Sequence, residues 1–283
     1  MNTTDYFFLN DNECRQIDFV GINLDGGKEL SAGRKYYLKP ERNLSLLPYQ
    51  YDKYFPYECF SYFTPITDPE GIRNTNFDIR LKNRSTQNIL HIIDNLEKNS
   101  DGFSEWREEV LKFSSLPVSS DQDYYYSSLY YLCIVMYNEL PAMYKFHYLT
   151  RQCEDTDNIS TGRYNNELFY EKIAGFNIPQ LMAILPIIDY LLKNTDSDLW
   201  MVGSDYNFMN QTRKYKLYIK FNSGTETEIL SVLKYILAFS KLTQFDYQID
   251  NLCNLQKNPF GLYGLGVCCD SKQNLSMNFY YKH

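Results

Sequence analysis

Residues Arg213-Lys-Tyr-Lys-Leu-Tyr-Ile-Lys-Phe221 alternate strictly between polar and apolar side chains. A β-strand turns successive side chains to opposite faces. One face of this segment therefore carries Lys214, Lys216, Tyr218 and Lys220, and the other Tyr215, Leu217, Ile219 and Phe221. Three lysines and a tyrosine on one strand face are costly unless that face meets water or an anion. A sheet with one apolar and one polar face is the structure that satisfies this pattern.

The pattern recurs. Phe19 to Asp25 and Arg34 to Lys39 read as a hairpin, with Gly26-Gly27 and Ala32-Gly33 in the turn region. Its return strand sets Lys35, Tyr37 and Lys39 against Tyr36 and Leu38. Cys59 to Thr64 and Asn76 to Lys82 make a second hairpin, with Asp78, Arg80 and Lys82 on the polar face. Leu129 to Tyr137 and Met143 to Arg151 make a third around Glu139-Leu-Pro-Ala142, with Lys145 and His147 opposite Tyr144, Phe146 and Tyr148. Leu199 to Tyr206 precedes the Arg213–Phe221 strand. Gly261 to Cys269 and Leu275 to Lys282 close the series, with Asn278, Tyr280 and Lys282 sharing a face. Five hairpins give ten strands, and residues 1–17 show no clear element. Lys-x-Tyr-x-Lys occurs at 35–39 and 216–220, and Asn-x-Tyr-x-Lys at 278–282, as internal echoes.

Helices fall between the hairpins. Ser85 or Thr86 caps one with Ile89, Ile92, Ile93 and Leu96 as its stripe. Ser104 to Phe113 predicts a second. Leu168 to Lys193 predicts at least two pieces, Pro179 starting one and Pro186 kinking the helix after it. Thr225-Glu-Thr-Glu228 is a capping box opening another. The whole is read as one domain over residues 1–283, α/β in class.

Composition narrows the function classes. Net charge is −7, which argues against a general nucleic-acid binder and makes the aligned lysines stand out. Mean hydropathy is −0.46 and no apolar run reaches membrane-span length. The N-terminus lacks a signal-peptide pattern, and the seven scattered cysteines read as reduced thiols, so a cytoplasmic protein is expected. Three histidines do not make a zinc cluster. Cys268-Cys269 reads as strand packing, His91 as structural and His147 as a hydrogen-bonded core histidine. Gly261-x-x-Gly-x-Gly266 has no helix start after it and is not read as a nucleotide loop.

Two architectures satisfy the polar faces: an open antiparallel sheet with water on one side, or a closed ten-stranded barrel with helices outside and a polar lumen. In a barrel the cations of different strands converge, and an anion such as a diphosphate relieves their repulsion. Tyr37, Tyr218 and Tyr280 would then donate hydroxyls and present π-faces to a carbocation.

These hairpins resemble the ABBA-fold aromatic prenyltransferases. Lys214-x-Lys216-x-Tyr218 resembles the Arg-x-Lys-x-Tyr diphosphate strand of the indole enzymes, and Lys35-x-Tyr37 before Pro40 their Lys-x-Tyr strand. Val20-Gly-Ile-Asn-Leu-Asp25 with Glu29-Leu30-Ser31 resembles a hairpin of the cyanobactin-type peptide prenyltransferases, the nearest group by length. Asn76-Phe-Asp-Ile-Arg80 resembles the strand carrying a magnesium-associated aspartate in the phenol enzymes. The resemblance implies transfer of a dimethylallyl or geranyl group from its diphosphate to a peptide side chain or small aromatic acceptor. It implies diphosphate contacts from Lys35, Tyr37, Arg80, Lys145, Lys214, Lys216, Tyr218, Tyr280 and Lys282, Mg²⁺ on Asp78, and a proton acceptor among Glu58, Asp25 and Asp205. The alternative is a non-enzymatic interaction protein whose open sheet docks an acidic partner on its lysine face.

Overall fold

The computed structural model describes residues 14–23, 30–38, 57–65, 74–81, 84–115, 128–137, 140–150, 166–223, 226–239 and 261–282. Ten strands run in chain order: β1 (Cys14–Asn23), β2 (Leu30–Leu38), β3 (Tyr57–Pro65), β4 (Asn74–Leu81), β5 (Leu129–Tyr137), β6 (Leu140–Leu149), β7 (Ser197–Asn207), β8 (Thr212–Phe221), β9 (Gly261–Asp270) and β10 (Leu275–Lys282). Among the described residues the helices are α1 (Thr86–Lys98), α2 (Arg107–Ser114), α3 (Asn166–Gly175), α4 (Pro179–Met182), α5 (Leu185–Asn194) and α6 (Glu226–Phe239). A 3₁₀ turn, Phe103–Trp106, precedes α2. The class is α/β. Among the described residues no helix is long and apolar enough to cross a membrane.

The chain forms two compact units, one of Met1–Gln16, Arg34–Arg163 and Gly203–Arg213, the other of Ile17–Gly33, Tyr164–Val202 and Lys214–His283. In the first, β3, β4, β5 and β6 pair antiparallel in sequence order. Tyr144, Phe146 and Tyr148 alternate along β6 and are fully buried, while Met143, Lys145 and His147, each just before one of them, are half-buried. Phe103 meets Tyr144 edge-on at 5.4 Å and stacks on Phe146 at 5.8 Å, and Phe113 stacks on Tyr148 at 5.2 Å. The helices therefore cover the apolar face that alternation assigns. Ser85 caps α1 by accepting from Asn88 N–H at 3.3 Å, and Ile89, Ile92, Ile93 and Leu96 are all buried. Glu109 ties α2 to the sheet, accepting from Tyr206 Oη at 2.7 Å and from Arg213 at 3.1 Å.

In the second unit β8, β9, β10 and β1 pair antiparallel. Asn222 N–H donates to Asp196 O at 2.9 Å, joining the foot of β8 to the chain leading into β7. The asparagine-proline break is as expected: Asn177 is left-handed (φ 52°) and Pro179 starts α4.

Three expectations are corrected. Pro186 does not kink a helix; it lies in the first two positions of α5, where its missing N–H costs no bond. The 168–193 stretch is thus three helices. β1 begins at Cys14, inside the stretch read as having no element. Glu139-Leu-Pro-Ala142 is not all turn: β6 starts at Leu140, and Pro141 sits where the β5–β6 register shifts, a bulge that needs no donor from it. The capping Thr225 lies outside the described residues.

Candidate functional site

The register of the second unit builds a polar surface from β8 and β10 with β9 between them. Residues opposite one another in an antiparallel pair share a face. One row runs Lys216, Cys268, Ser276 and Asn23 across four strands. The next runs Tyr218, Gly266, Asn278 and Gly21. The third runs Lys220, Gly264, Tyr280 and Phe19. On this face β9 supplies two bare positions, while on its other face Leu265, Val267 and Cys269 are fully buried.

The cleared strand lets its neighbours meet. Tyr218 and Tyr280 reach across β9 to a ring-centroid distance of 6.1 Å with 44° between planes. Tyr218 is 8% exposed and Tyr280 half-buried. Lys216 is half-buried beside them, and Lys214 and Lys220 are exposed at either side. The surface thus offers ammonium groups and two phenols on one face, a set suited to anion binding and to shielding a cation.

Lys214 stands opposite Asp270 at the end of the ladder. Asp270 closes the β9–β10 turn, accepting from Lys272 N–H at 2.8 Å, Asn274 N–H at 2.9 Å and Asn274 Nδ2 at 3.0 Å. Burial pushes its pKa up, but the Asn274 and Lys272 hydrogen bonds and the charge of Lys214 outweigh this and hold it below the ordinary carboxylate value.

The first unit carries a second polar face. Ser61, Asp78, Cys133 and Lys145 are in one row, and Arg80, Tyr131 and His147 in the next. Tyr131 and His147 meet edge-on at 6.4 Å. On β7, Ser204 bonds Tyr148 Oη at 3.1 Å and Tyr206 packs against Trp106 at 5.1 Å, both on the helix side. Alternation sets Asp205, 4% exposed, on the opposite side, the one that carries Lys145 and His147.

The expected site residues therefore fall into separate groups. Lys214, Lys216, Tyr218 and Tyr280 share one face, with Lys282 on the same strand as Tyr280, opposite Ile17. Arg80, Lys145 and Asp78 share the other unit's face by register. Lys35 and Tyr37 are two residues apart on β2. Glu58 lies in the register shift between Tyr57 and Phe60 of β3, away from the regular alternation. Asp25 lies outside the described residues. Among the described residues no three His, Cys, Asp or Glu side chains gather to hold a metal ion. Cys133, Cys268 and Cys269 are buried in strands, outside any disulfide, and His91 is on the exposed side of α1. Gly264 and Gly266 were not among the expected site residues; glycines at i and i+2 within a strand are the signal that one face has been stripped.

This fold is that of the ABBA-fold aromatic prenyltransferases. AnaPT from Neosartorya fischeri superposes with a TM-score of 0.61 over 94% of this chain and 77% of its own, at 11% identity. NotF, solved in complex with brevianamide F and DMSPP, gives 0.61 over 97% of this chain and 81% of its own, at 8% identity. A 5-dimethylallyltryptophan synthase from Streptomyces coelicolor gives 0.53 over 95% and 81%, at 10% identity. No protein-family sequence model matches the chain, and no curated protein is similar to it in sequence.

Proposed function

We propose that this chain is a prenyltransferase that moves a dimethylallyl or geranyl group from its diphosphate to an electron-rich aromatic ring or peptide side chain. The observation that carries this is the face of β8 and β10: lysines flanking a tyrosine pair that meets over the two glycines of β9, on a fold shared with aromatic prenyltransferases. The reading includes closure of the ten strands into a single barrel domain, in which alternate residues of every strand face one lumen. The NotF complex, which pairs a donor analogue with an aromatic acceptor, supports the choice of substrate classes.

The chemistry rests on the residue types. The allylic C–O bond breaks and its electron pair leaves with the diphosphate. Lys35, Arg80, Lys145, Lys214, Lys216 and Lys282 are the cations proposed to stabilise that developing charge, with the hydroxyl of Tyr37. The rings of Tyr218 and Tyr280 face the allylic cation and keep water from it. The acceptor carbon or heteroatom forms the new bond and releases a proton. Asp205 is the proposed acceptor of that proton, being a buried carboxylate on a polar face beside the strand of Lys145 and His147.

The test is turnover. The purified protein is incubated with dimethylallyl or geranyl diphosphate and a panel of indoles, phenols and tryptophan- or tyrosine-containing peptides, with and without Mg²⁺. Mass spectrometry that finds an acceptor carrying the isoprenoid supports the reading. Absence of product and of diphosphate release across the panel overturns it, and leaves the acidic-partner reading of the lysine face.

A further inference from the structure

Resting on that reading, we infer that Gly266 is a positioning residue that sets the Tyr218–Tyr280 pair, and through it the partition of the allylic cation between acceptor and water. Glycine weakens a strand, since it adds no packing and has the most conformational freedom to lose. Its presence in the middle of β9 therefore calls for a local reason. A Cβ built at Gly266 would lie 3.3 Å from Tyr218 Cε1, 3.3 Å from Tyr280 Cε2 and 3.4 Å from Tyr218 Cδ1. Both rings press on the same missing atom from the two neighbouring strands. A methyl group there forces one or both outward by a few tenths of an ångström.

Gly264 does not play this part. Its added Cβ would meet the backbone oxygen of Ile219 at 3.2 Å, with Tyr280 only at 3.9 Å. The bare position at 264 lets two strands approach; the one at 266 lets two phenol rings approach. Tyr218 is nearly sealed from solvent where the rings close over Gly266. Opening that seal admits water to the cation that the rings face. Water then adds to the allylic carbon and loses a proton, giving prenyl alcohol in place of prenylated acceptor, with diphosphate released in both cases.

The experiment measures alcohol and prenylated acceptor together. For Gly266→Ala, the alcohol-to-product ratio is expected to rise by about tenfold over the unaltered protein, which corresponds to ~1.4 kcal/mol in relative barriers. Donor binding, followed with the thiolodiphosphate, should change much less, because the lysines are untouched. Tyr280→Ala provides the second variant, removing one ring without adding an atom to β9, and should raise the ratio by a similar factor. In the double variant the alanine at 266 should add little, because one ring it displaces is gone. An unchanged ratio in folded Gly266→Ala overturns the inference, as does full additivity in the double variant. If Gly266→Ala does not fold, an unchanged ratio in Tyr280→Ala overturns it. If the unaltered protein releases no diphosphate and makes no product, the proposed function fails first and the inference with it; transfer with an unchanged ratio removes the inference alone.

Discussion

β5 and β9 are both central strands with lysine-bearing neighbours, β6 beside the one and β8 and β10 beside the other, and they treat their polar faces in opposite ways. β5 fills its face: Tyr131, Cys133 and Val135 stand opposite His147, Lys145 and Met143. β9 empties its face: Gly264 and Gly266 stand opposite Lys220 and Tyr218 on one side and Tyr280 and Asn278 on the other. Their apolar faces are alike, with Leu132 and Ile134 in one and Leu265 and Val267 in the other fully buried. A strand that is filled on both faces is packing. A strand that is packed on one face and bare on the other has given up side-chain packing of its own, and here the rings of its neighbours close over the bare position.

The contrast can be broken or sharpened by substitution, beginning with the largest effect. Phe146→Ala, on the filled unit's helix side, removes a fully buried ring that stacks on Phe103. It should cost about 3–5 kcal/mol, read from urea unfolding. Lys216→Ala with Tyr218→Phe should weaken donor binding by ~100-fold or more, about 2.7 kcal/mol, with the thermal midpoint nearly unchanged. A loss of stability as large as that of Phe146→Ala would mean that the stripped face is packing after all. Glu109→Ala severs the bonds to Tyr206 and Arg213. It should cost about 1–3 kcal/mol in stability through the partners left behind and leave donor affinity alone.

The smallest effect is one of pH. The carboxyl of Asp270 has its pKa lowered in the folded protein by its turn hydrogen bonds and Lys214. The stability it contributes is therefore present above its unfolded pKa, near 3.8, and is lost as pH falls through the lower folded value. Asp270→Asn should flatten the acid limb of a stability–pH curve below about pH 4 by a small amount, since the group is largely solvated. No change in that limb would mean that the turn bonds do not favour the charged form.

Much of the sheet is legible in the sequence because strand alternation is a local property. The Lys145 and His147 face against Tyr144, Phe146 and Tyr148 follows from neighbouring letters, and so does the α1 stripe. The rest depends on pairing between distant segments. Gly266 reads only as one residue of a glycine-rich strand until Tyr218 and Tyr280, 48 and 14 residues away, are set beside it by register. Pro186 reads as a kink because a proline that breaks a helix and one that begins the next are the same letter, separated only by where the preceding turn ends. Nothing near Asp205 in sequence separates it from Glu58 and Asp25; its side of the sheet follows from the strand it shares with Ser204 and Tyr206, whose partners are on the helix side.

The most direct test of the central claim, that the face stripped by β9 binds a prenyl diphosphate, is calorimetric titration with dimethylallyl and geranyl thiolodiphosphates, which bind without ready turnover. Micromolar affinity for at least one of them, lost in the Lys216→Ala, Tyr218→Phe variant and weakened by added salt, is the predicted result. A folded protein that takes up neither analogue at millimolar concentration would contradict it.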